Sequence, residues 1–319
     1  MDSKLVAVTD SVFPHLEVVQ RVLETIGAEV RLASAPTPEA ILDVARDADG
    51  VLTTYAKLPA GLIEQLTRCR VISRFGVGVD NVDLAAAAKA GIVVTRVPDY
   101  CLDEVSDHAM ALLLALVRKI PSSNARTQSG QWDIRGVIPI HRIRGTVLGL
   151  VAFGQIPRVL APKAQAFGIR VVTYDPFAPK EVMQRAGVEQ VEFDELLRIS
   201  DYISIHTPLL PATRHLFNAA VFQKMKPTAY LINTSRGPVI DETALADALD
   251  QGQLAGASLD VMEREPPSAS PLFGRDNVIV TPHTSYYSEE ALIDLQTKAA
   301  EEVVRVLSGQ PPRNPVKAT

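Results

Sequence analysis

One segment of the chain constrains its fold more than any other. Residues 146–158 read TVLGLVAFGQIPR, an apolar strand that runs into a turn of small residues and then into a helix. The helical pattern ends near Gly168, and a second apolar strand over residues 170–174 stops at Asp175. Two strands joined by a crossover helix form a parallel, right-handed β-α-β unit. The segment therefore predicts a parallel sheet covered by helices.

The same alternation of strand and helix continues along the rest of the chain. Apolar, β-branched runs that predict strands lie at residues 4–9, 30–32, 71–74, 92–95, 147–151, 171–174, 202–206, 230–233, 256–259 and 278–281. Nearly continuous apolar runs suit parallel strands that are buried on both faces. The expected fold class is therefore α/β with doubly wound parallel sheets. One long helix is predicted up to about Lys119, where residues 121–124 (PSSN) end it, and another over about 289–307.

The length of the chain sets its domain organisation. At 319 residues it is about twice the usual length of a single domain, so two domains are expected. The composition does not shift midway along the chain, which argues against a simple split into halves. We instead predict a discontinuous domain over residues 1–99 plus 286–319, with a second domain, 100–285, inserted into it.

Charge and cysteine content exclude several function classes. The 32 basic and 37 acidic residues give a net charge of -5, which offers no electrostatic footprint for nucleic acid or an anionic membrane. No apolar run approaches the length of a membrane span. Two cysteines, Cys69 and Cys101, make neither a disulfide framework nor a metal site. A reduced, cytoplasmic setting with no metal is therefore expected.

The turn after the first strand of the constraining segment is a modified dinucleotide fingerprint. The G-x-G-x-x-G pattern reads Ala152, Gly154 and Pro157 at its three glycine positions. Alanine fits the first position if its φ is negative, and Gly154 lets the backbone approach a pyrophosphate. Proline is tolerated at the third position because the first turn of a helix has no i−4 partners for its N–H groups. The pattern favours a dinucleotide site, and an ordinary β-α-β unit without a ligand is the alternative.

Asp175 bears on the type of cofactor. It ends the second strand about twenty residues after the turn, where a carboxylate can accept hydrogen bonds from ribose hydroxyls. The same carboxylate would repel a 2′-phosphate, so NAD is favoured over NADP. The alternative is that Asp175 caps the turn before Pro176.

Polar residues follow three later strands. Arg236, Glu265 and His283 come after the strands predicted at 230–233, 256–259 and 278–281. The arginine offers a planar fork for a carboxylate, and the histidine can exchange a proton with a hydroxyl near neutral pH. If Glu265 reaches His283, it would raise the pKa of that histidine. Alternatively, these are a loop histidine, a loop-capping arginine and a solvated carboxylate. Together they suggest hydride transfer beside an acid–base group.

Four runs carry a resemblance to a known family: RFGVGVDNVD (74–83), INTSRG (232–237), LDVMEREP (259–266) and TPHTSYYSE (281–289). From about residue 81 to 312 the chain resembles the D-isomer-specific 2-hydroxyacid dehydrogenases, and most of all the branch with the C-terminal-binding proteins and their bacterial relatives. The resemblance implies two Rossmann-like domains, the NAD-binding one inserted into a flavodoxin-like, substrate-binding one. It also implies reversible, NAD-dependent reduction of a small 2-oxo acid to a D-2-hydroxy acid.

The resemblance also implies roles for individual residues. Arg236, Glu265 and His283 would be catalytic, with His283 the general acid in reduction. The cofactor would contact Val77, Phe153, Gly154, Gln155, Ile156, Pro157, Asp175, His206, Thr207, Pro208, Thr213, Thr234, Ser235, Arg236, Asp260 and His283. The substrate would contact Tyr55, Arg74, Gly76, Val77, Gly78, Arg236, His283 and Tyr286. Alternatively, Arg74 forms a surface ion pair and His206 is satisfied by backbone.

Departures from the family pattern leave the substrate open. Many relatives carry Ala-Glu at Ser106-Asp107, and a tryptophan where this chain has Tyr286 beside the proton donor. A formate dehydrogenase would pair the histidine with glutamine, which Glu265 argues against. An NADH-responsive, corepressor-like binding protein with little turnover is the remaining alternative. The resemblance further suggests a homodimer formed through the helix at about 101–119 and the segment beyond it, which includes Trp132.

Overall fold

The computed structural model describes residues 4–317 and divides the chain into two compact units. Unit 1 comprises Met1–Cys101 together with Ser288–Thr319, and unit 2 comprises Leu102–Tyr287. These borders lie two residues beyond the expected ones at 99 and 285. They place Tyr286 with unit 2, on the same unit as His283.

Unit 1 is built on a five-stranded parallel sheet in the order β2-β1-β3-β4-β5. Its strands are β1 (Lys4–Val8), β2 (Ala28–Leu32), β3 (Gly50–Thr53), β4 (Val71–Arg74) and β5 (Val93–Thr95). Its helices are α1 (Glu17–Glu24), α2 (Pro38–Ala45), α3 (Ala60–Ile63), α4 (Leu84–Lys89) and, from the end of the chain, α12 (Glu289–Leu307). The strand order reverses direction between β1 and β3, which is where an open α/β sheet offers a ligand crevice.

Unit 2 is built on a seven-stranded parallel sheet in the order β12-β11-β10-β9-β6-β7-β8. Its strands are β6 (Val147–Val151), β7 (Arg170–Tyr174), β8 (Glu189–Gln190), β9 (Tyr202–Ile205), β10 (Tyr230–Asn233), β11 (Gly256–Leu259) and β12 (Val278–Val280). Its helices are α5 (Leu102–Val117), α6 (Ile120–Gln128), α7 (Gln155–Ala166), α8 (Lys180–Arg185), α9 (Phe193–Ile199), α10 (Ala219–Phe222) and α11 (Glu242–Asp250), with a 3-10 turn at Gly237–Val239.

Apolar burial on both faces of each sheet explains the strand pattern. The central strands β3, β9 and β11 are buried at every residue, as expected for strands covered by helices on both sides. The α/β class and the parallel sheets are confirmed. No helix within residues 4–317 is long and apolar enough to cross a membrane.

One expected helix end is wrong. The run at residues 121–124 does not close the long helix; α5 ends at Val117, and Pro121 lies in the first turn of a new helix, α6. Lys119, at the junction, has a left-handed backbone with φ of 53°. Proline is compatible with a first helical turn because its missing N–H has no intrahelical partner there.

Candidate active site

Three neighbouring strands of unit 2 carry Arg236, Glu265 and His283, here called the strand-end trio. β10, β11 and β12 lie side by side in the sheet, and each is followed by the loop that holds one member. Because parallel strands end at the same edge, the three loops meet there. The fold thus gathers residues that are up to 47 positions apart in sequence, counting from 236 to 283.

His283 and Glu265 are paired by a direct hydrogen bond. The Nδ1 atom of His283 lies 2.7 Å from Oε2 of Glu265. The other carboxylate oxygen, Oε1, accepts the backbone N–H of Met262 at 2.9 Å. A carboxylate accepts hydrogen bonds, so the arrangement assigns the proton of this contact to Nδ1. Nε2 is then the ring nitrogen placed to exchange a proton with another molecule.

The backbone around His283 has a special conformation that Asp260 holds in place. Residues 281–285, the His283 loop, carry His283 at φ of 53°, in the left-handed region. The N–H of His283 donates to the carbonyl oxygen of Asp260 at 2.8 Å. The buried carboxylate of Asp260 accepts the N–H groups of Thr284 and Ser285, each at 2.9 Å. Asp260, which the sequence resemblance places at the cofactor, fixes the loop that carries His283.

Arg236 follows β10 in a loop that packs closely against the loop of Glu265. Asn233 organises this loop: its Oδ1 accepts Ser235 N–H, and its Nδ2 donates to the carbonyl oxygen of Arg236. The Arg236 Nη1 atom donates to the carbonyl oxygen of Ser235 at 2.7 Å. Sequence reasoning missed Asn233, although an asparagine directly after a buried strand is a frequent organiser of turns.

The fingerprint turn departs from one sequence expectation. Ala152 has φ of 79°, so the negative φ expected for an alanine at this position is wrong. The turn thus has the backbone geometry that a glycine would adopt. Ala152 N–H donates to the carbonyl oxygen of Tyr174 in the adjacent strand. An L-residue in this region costs roughly 1–2 kcal/mol.

The other two fingerprint positions are compatible with a bound phosphate. Gly154 caps the twelve-residue helix α7, and nothing in the described part of the chain lies within 4 Å of the place a Cβ would take. Pro157 is buried in the first turn, where no N–H is required. Gln155 and Ile156 begin the helix, and the first N–H groups of a helix lack intrahelical partners. Open space and outward N–H groups together suit an anion.

Asp175 is placed so that it can both cap the turn and accept a hydrogen bond from a ribose hydroxyl. Its Oδ2 accepts Phe153 N–H at 2.7 Å, and its Oδ1 accepts the N–H groups of Phe177 and Ala178. It therefore caps the turn, as the alternative interpretation has it. A carboxylate has about four acceptor positions, so three backbone donors leave capacity for a ribose hydroxyl.

Two buried hydroxyls mark the neighbouring strand ends as a ligand edge. Among residues 4–317, the Oγ1 atoms of Thr207 and Thr234 are buried without a hydrogen-bond partner. Buried polar groups are normally paired, so these two point to a bound group with its own donors or acceptors. Thr213 differs, since its hydroxyl donates to the carbonyl oxygen of Pro208 at 2.6 Å and accepts Leu210 N–H.

His206 lies beside Thr207 as a neutral imidazole. Burial lowers its pKa to about 3, and its Nε2 atom is 2.9 Å from the Ser204 hydroxyl. The partner is thus a side chain rather than the backbone that the alternative interpretation invoked.

Tyr286 faces His283 edge-on, with ring centroids 6.2 Å apart. An aromatic ring of the same unit therefore borders His283.

Unit 1 assembles the residues expected to bind substrate. Arg74 ends β4, and its guanidinium carbon lies 6.0 Å from the centre of the Tyr55 ring. Gly76 has φ of 140°, which favours glycine, and a Cβ there would lie 1.4 Å from Nη1 of Arg74, so a side chain at this position would displace the guanidinium. Val77 and Gly78 continue the loop and are half-buried.

Tyr55 also borders a cleft that the sequence did not predict. The cleft has a volume of about 860 Å³ and lies among the loops that follow β1, β2 and β3 of unit 1. Asp10 and Lys57 contribute its charged groups. Asp10 fixes the rim, because its carboxylate accepts the N–H groups of Thr54 and Tyr55. The cleft lies next to β1 and β3, between which the strand order of this sheet reverses.

Comparison with known proteins decides the family. The family model of the D-isomer specific 2-hydroxyacid dehydrogenase, NAD binding domain, matches residues 110–285. The chain is 37% identical to the glyoxylate reductase of Thermococcus litoralis, over 88% of this chain and 87% of that enzyme. The chain belongs to the D-isomer-specific 2-hydroxyacid dehydrogenase family. NAD is the cofactor of its matched domain.

Two other matches show the breadth of this family. The D-3-phosphoglycerate dehydrogenase of Methanocaldococcus jannaschii is 40% identical over 313 residues, which is 98% of this chain but only 59% of that enzyme. The D-lactate dehydrogenase from Aquifex aeolicus, solved with NAD and lactic acid, superimposes with a TM-score of 0.89 at 28% identity, over 99% of this chain and 100% of that one. The relatives share a fold and differ in the acid named.

The residues of unit 2 fit the cofactor. The open space at Gly154 and the unpartnered hydroxyls of Thr207 and Thr234 lie at the ends of β6, β9 and β10, which are adjacent in the sheet. These features form a continuous edge for a dinucleotide at the carboxyl ends of the strands.

Proposed function

We propose that this chain catalyses the reversible, NAD-dependent reduction of a small 2-oxo acid to a D-2-hydroxy acid. The observation that carries the proposal is the 2.7 Å hydrogen bond between His283 and Glu265, in an NAD-binding unit that also presents Arg236. Such a pair offers a proton donor beside a guanidinium that can hold a carboxylate. The D configuration follows from membership of the family.

The chain's own residues supply orientation and the proton. Bound NADH supplies the hydride for the carbonyl carbon. Arg236 holds the substrate carboxylate and polarises the carbonyl group. The imidazolium of His283 gives its Nε2 proton to the carbonyl oxygen and becomes neutral, while Glu265 keeps the Nδ1 proton in place. The substrate thus gains one hydride and one proton.

Cofactor binding is assigned to residues of unit 2, with Val77 of unit 1 as the one exception. We propose that the N-terminus of α7, from Gly154 to Pro157, holds the pyrophosphate and that Asp175 receives a ribose hydroxyl. The buried carboxylate of Asp175 would repel a 2′-phosphate, which favours NAD over NADP. The remaining proposed contacts are Val77, Phe153, His206, Thr207, Pro208, Thr213, Thr234, Ser235, Arg236, Asp260 and His283.

The roles of individual residues in substrate binding rest on the family resemblance. We propose that Arg74 and the backbone of residues 76–78 on unit 1 contact the carboxylate in addition to Arg236, with Tyr55 nearby, and that on unit 2 Tyr286 contacts the substrate beside His283. The relatives name glyoxylate, phosphoglycerate and lactate chemistry, so the substrate is a small acid of this kind. Lys57, in the cleft beside Tyr55, adds a positive charge for an acid that bears a second anionic group.

The experiment is a screen of NADH consumption with glyoxylate, pyruvate, hydroxypyruvate, its 3-phosphate and phenylpyruvate. The proposal predicts turnover with at least one acid and a preference for NADH over NADPH. His283→Ala should abolish turnover and still bind NADH. NADH binding by the wild type without consumption, together with captured peptide partners, would instead favour the corepressor-like alternative.

We also propose a homodimer in the cytoplasm. The segment after α6 exposes large apolar side chains: Trp132 is 88%, Ile134 70% and Ile138 56% exposed. Exposed apolar residues this close together mark an association surface. Cys69 and Cys101 are both buried thiols, which agrees with a reducing compartment. Analytical ultracentrifugation should show a dimer that Trp132→Glu dissociates; a monomeric wild type would overturn this.

A further inference from the structure

We infer that His108, a helix residue outside the strand-end trio, is a positioning residue that holds His283 in its proton-donating geometry through Thr281 and Asp260. The inference rests on the proposed function, because it concerns the proton step of that reaction. His108 lies on α5, and its Nε2 atom is 3.1 Å from the hydroxyl oxygen of Thr281. Thr281 is the first residue of the His283 loop.

The single proton of the Thr281 hydroxyl determines the direction of this contact. Thr281 Oγ1 lies 2.6 Å from Oδ1 of Asp260, and a carboxylate accepts but does not donate. The hydroxyl proton is therefore committed to Asp260. Toward His108 the same oxygen acts as an acceptor, which assigns a proton to Nε2 of His108. The three groups form a chain of donors that runs from the helix into the carboxylate.

The end of this chain is the group that shapes the His283 loop. The Asp260 side chain is 0% exposed, and its two oxygens also accept the N–H groups of Thr284 and Ser285. His108 Nε2 is itself 3.6 Å from Oδ1 of Asp260. A buried carboxylate whose hydrogen-bond network loses a donor rearranges, because an unsatisfied buried polar group is costly.

The anchor at the other end is rigid. α5 packs against the strands β10, β11 and β12 that carry the strand-end trio. Val105, Ala109 and Leu112, on the same helix as His108, are all buried. His108 therefore fixes the loop to a packed helix as well as to β11. This contact adds to the hydrogen bonds by which Asp260 already holds the His283 loop.

The constraint bears on catalysis because proton transfer depends on sub-ångström placement. A misplacement of about 1 Å can lower a rate by about 100-fold. If the loop relaxes, Nδ1 of His283 moves relative to Glu265, and Nε2 moves relative to the carbonyl oxygen of the substrate. Asp260 and His283 are two of the proposed NADH contacts, but most of the others lie at the ends of β6, β9 and β10, so NADH binding should change less than turnover.

The kinetic test compares His108→Leu, which removes the donor, with His108→Gln, whose amide N–H can still reach the Thr281 hydroxyl. We expect kcat to fall about tenfold or more in His108→Leu, with the Kd for NADH within about twofold of wild type. His108→Gln should recover most of the lost kcat. Thr281→Val should reproduce the His108→Leu defect, and the double variant should be no worse than the weaker single one. His15→Leu, which alters an exposed histidine of unit 1, is the control.

A spectroscopic test works independently of turnover. The chain has six histidines, so imidazole NMR spectra of ¹⁵N-histidine-labelled protein are tractable, with His283 assigned by loss of its signals in His283→Ala. The hydrogen-bonded Nδ1 proton of His283 should be seen in wild type and His15→Leu, and be shifted or lost in His108→Leu and Thr281→Val.

Several outcomes would overturn the positioning role. They are an unchanged His283 signal in His108→Leu, additive effects of the two substitutions, or a His108→Gln variant no better than His108→Leu. If His108→Leu does not fold, Thr281→Val is used in its place in both the kinetic and the NMR comparison. Wild type that consumes no NADH would defeat the proposed function, while the NMR comparison would still decide the positioning role.

Discussion

A Cβ atom on Gly237 would lie 1.9 Å from the backbone carbonyl oxygen of Met262. Gly237 directly follows Arg236, and Met262 donates its N–H to Glu265. The absence of a side chain at one position therefore allows the loops of two members of the strand-end trio to pack backbone against backbone. The spacing between the guanidinium and the His283–Glu265 pair depends on this contact.

Gly237→Ala should damage both stability and turnover. The added methyl group overlaps main-chain atoms, which cannot rotate away, so we expect a loss of about 1–3 kcal/mol in the free energy of unfolding. Displacement of the Arg236 loop should also lower kcat/KM. Gly61→Ala is the matched control, because no described atom lies within 4 Å of its Cβ position. Equal effects of both substitutions in urea denaturation would refute the close-approach argument.

Ala152→Gly should stabilise the protein. Ala152 sits at φ of 79°, a conformation that glycine adopts without strain. Relief of roughly 1–2 kcal/mol is partly offset by the greater freedom of glycine in the unfolded chain, which leaves a net gain of up to about 1 kcal/mol. Urea denaturation of the two proteins measures the difference. A clear loss of stability in the glycine variant would show that the methyl group is needed for packing.

Thr207→Val and Thr234→Val should separate cofactor binding from folding. In the unliganded chain these buried hydroxyls make no hydrogen bond to any described residue, so valine should leave the melting temperature unchanged or higher. If the hydroxyls bind the cofactor, the Kd for NADH should rise by about 3- to 10-fold in each variant. Fluorescence titration with NADH measures this.

Thr173→Val is the control for these two variants. Its hydroxyl is also buried but donates to the carbonyl oxygen of Leu150 at 2.9 Å. We expect it to lose about 1 kcal/mol of stability without a change in NADH affinity. Unchanged NADH affinity in Thr207→Val and Thr234→Val would remove both residues from the cofactor site.

His206 should make the fold sensitive to mild acid. Burial lowers its folded-state pKa to about 3, well below the ordinary histidine pKa of 6.5. Between these values the unfolded chain binds a proton that the folded chain does not, so stability falls as the pH falls below the unfolded pKa. From about pH 7.5 to about pH 5.5 the contribution lost is about 1.4 kcal/mol. His206→Gln should lack this component in urea denaturation; parallel pH curves for the two proteins would contradict it.

Much of the fold can be predicted from the sequence, with β3 and β8 as exceptions. The strands at 71–74, 147–151, 230–233 and 256–259 match the observed bounds because their apolar runs are abrupt. β3, four buried residues, was not predicted, although β11 with the same length and the same initial glycine was. β8 was missed because its two residues are exposed and polar. Backbone pairing with neighbouring strands, rather than local propensity, makes both of them strands.

Less of the candidate site than of the fold could be predicted from the sequence. Motif positions identified Arg236, Glu265 and His283, because each follows a recognisable strand. The contact between His108 and Thr281 joins residues 173 positions apart, and no local pattern reports it. The positive φ of Ala152 was likewise hidden, since alanine gives no sign of a glycine-like backbone. Long-range hydrogen bonds and backbone strain become visible only when the chain is folded.

The most direct measurement is steady-state NADH oxidation by wild type and His283→Ala across the panel of 2-oxo acids, with NADH affinity determined for both proteins. The account predicts that wild type reduces at least one acid, and that His283→Ala binds NADH with similar affinity but loses at least about 100-fold in kcat, within the usual contribution of a general acid. It would be contradicted by wild type that binds NADH and reduces none of the acids, or by His283→Ala that retains full turnover.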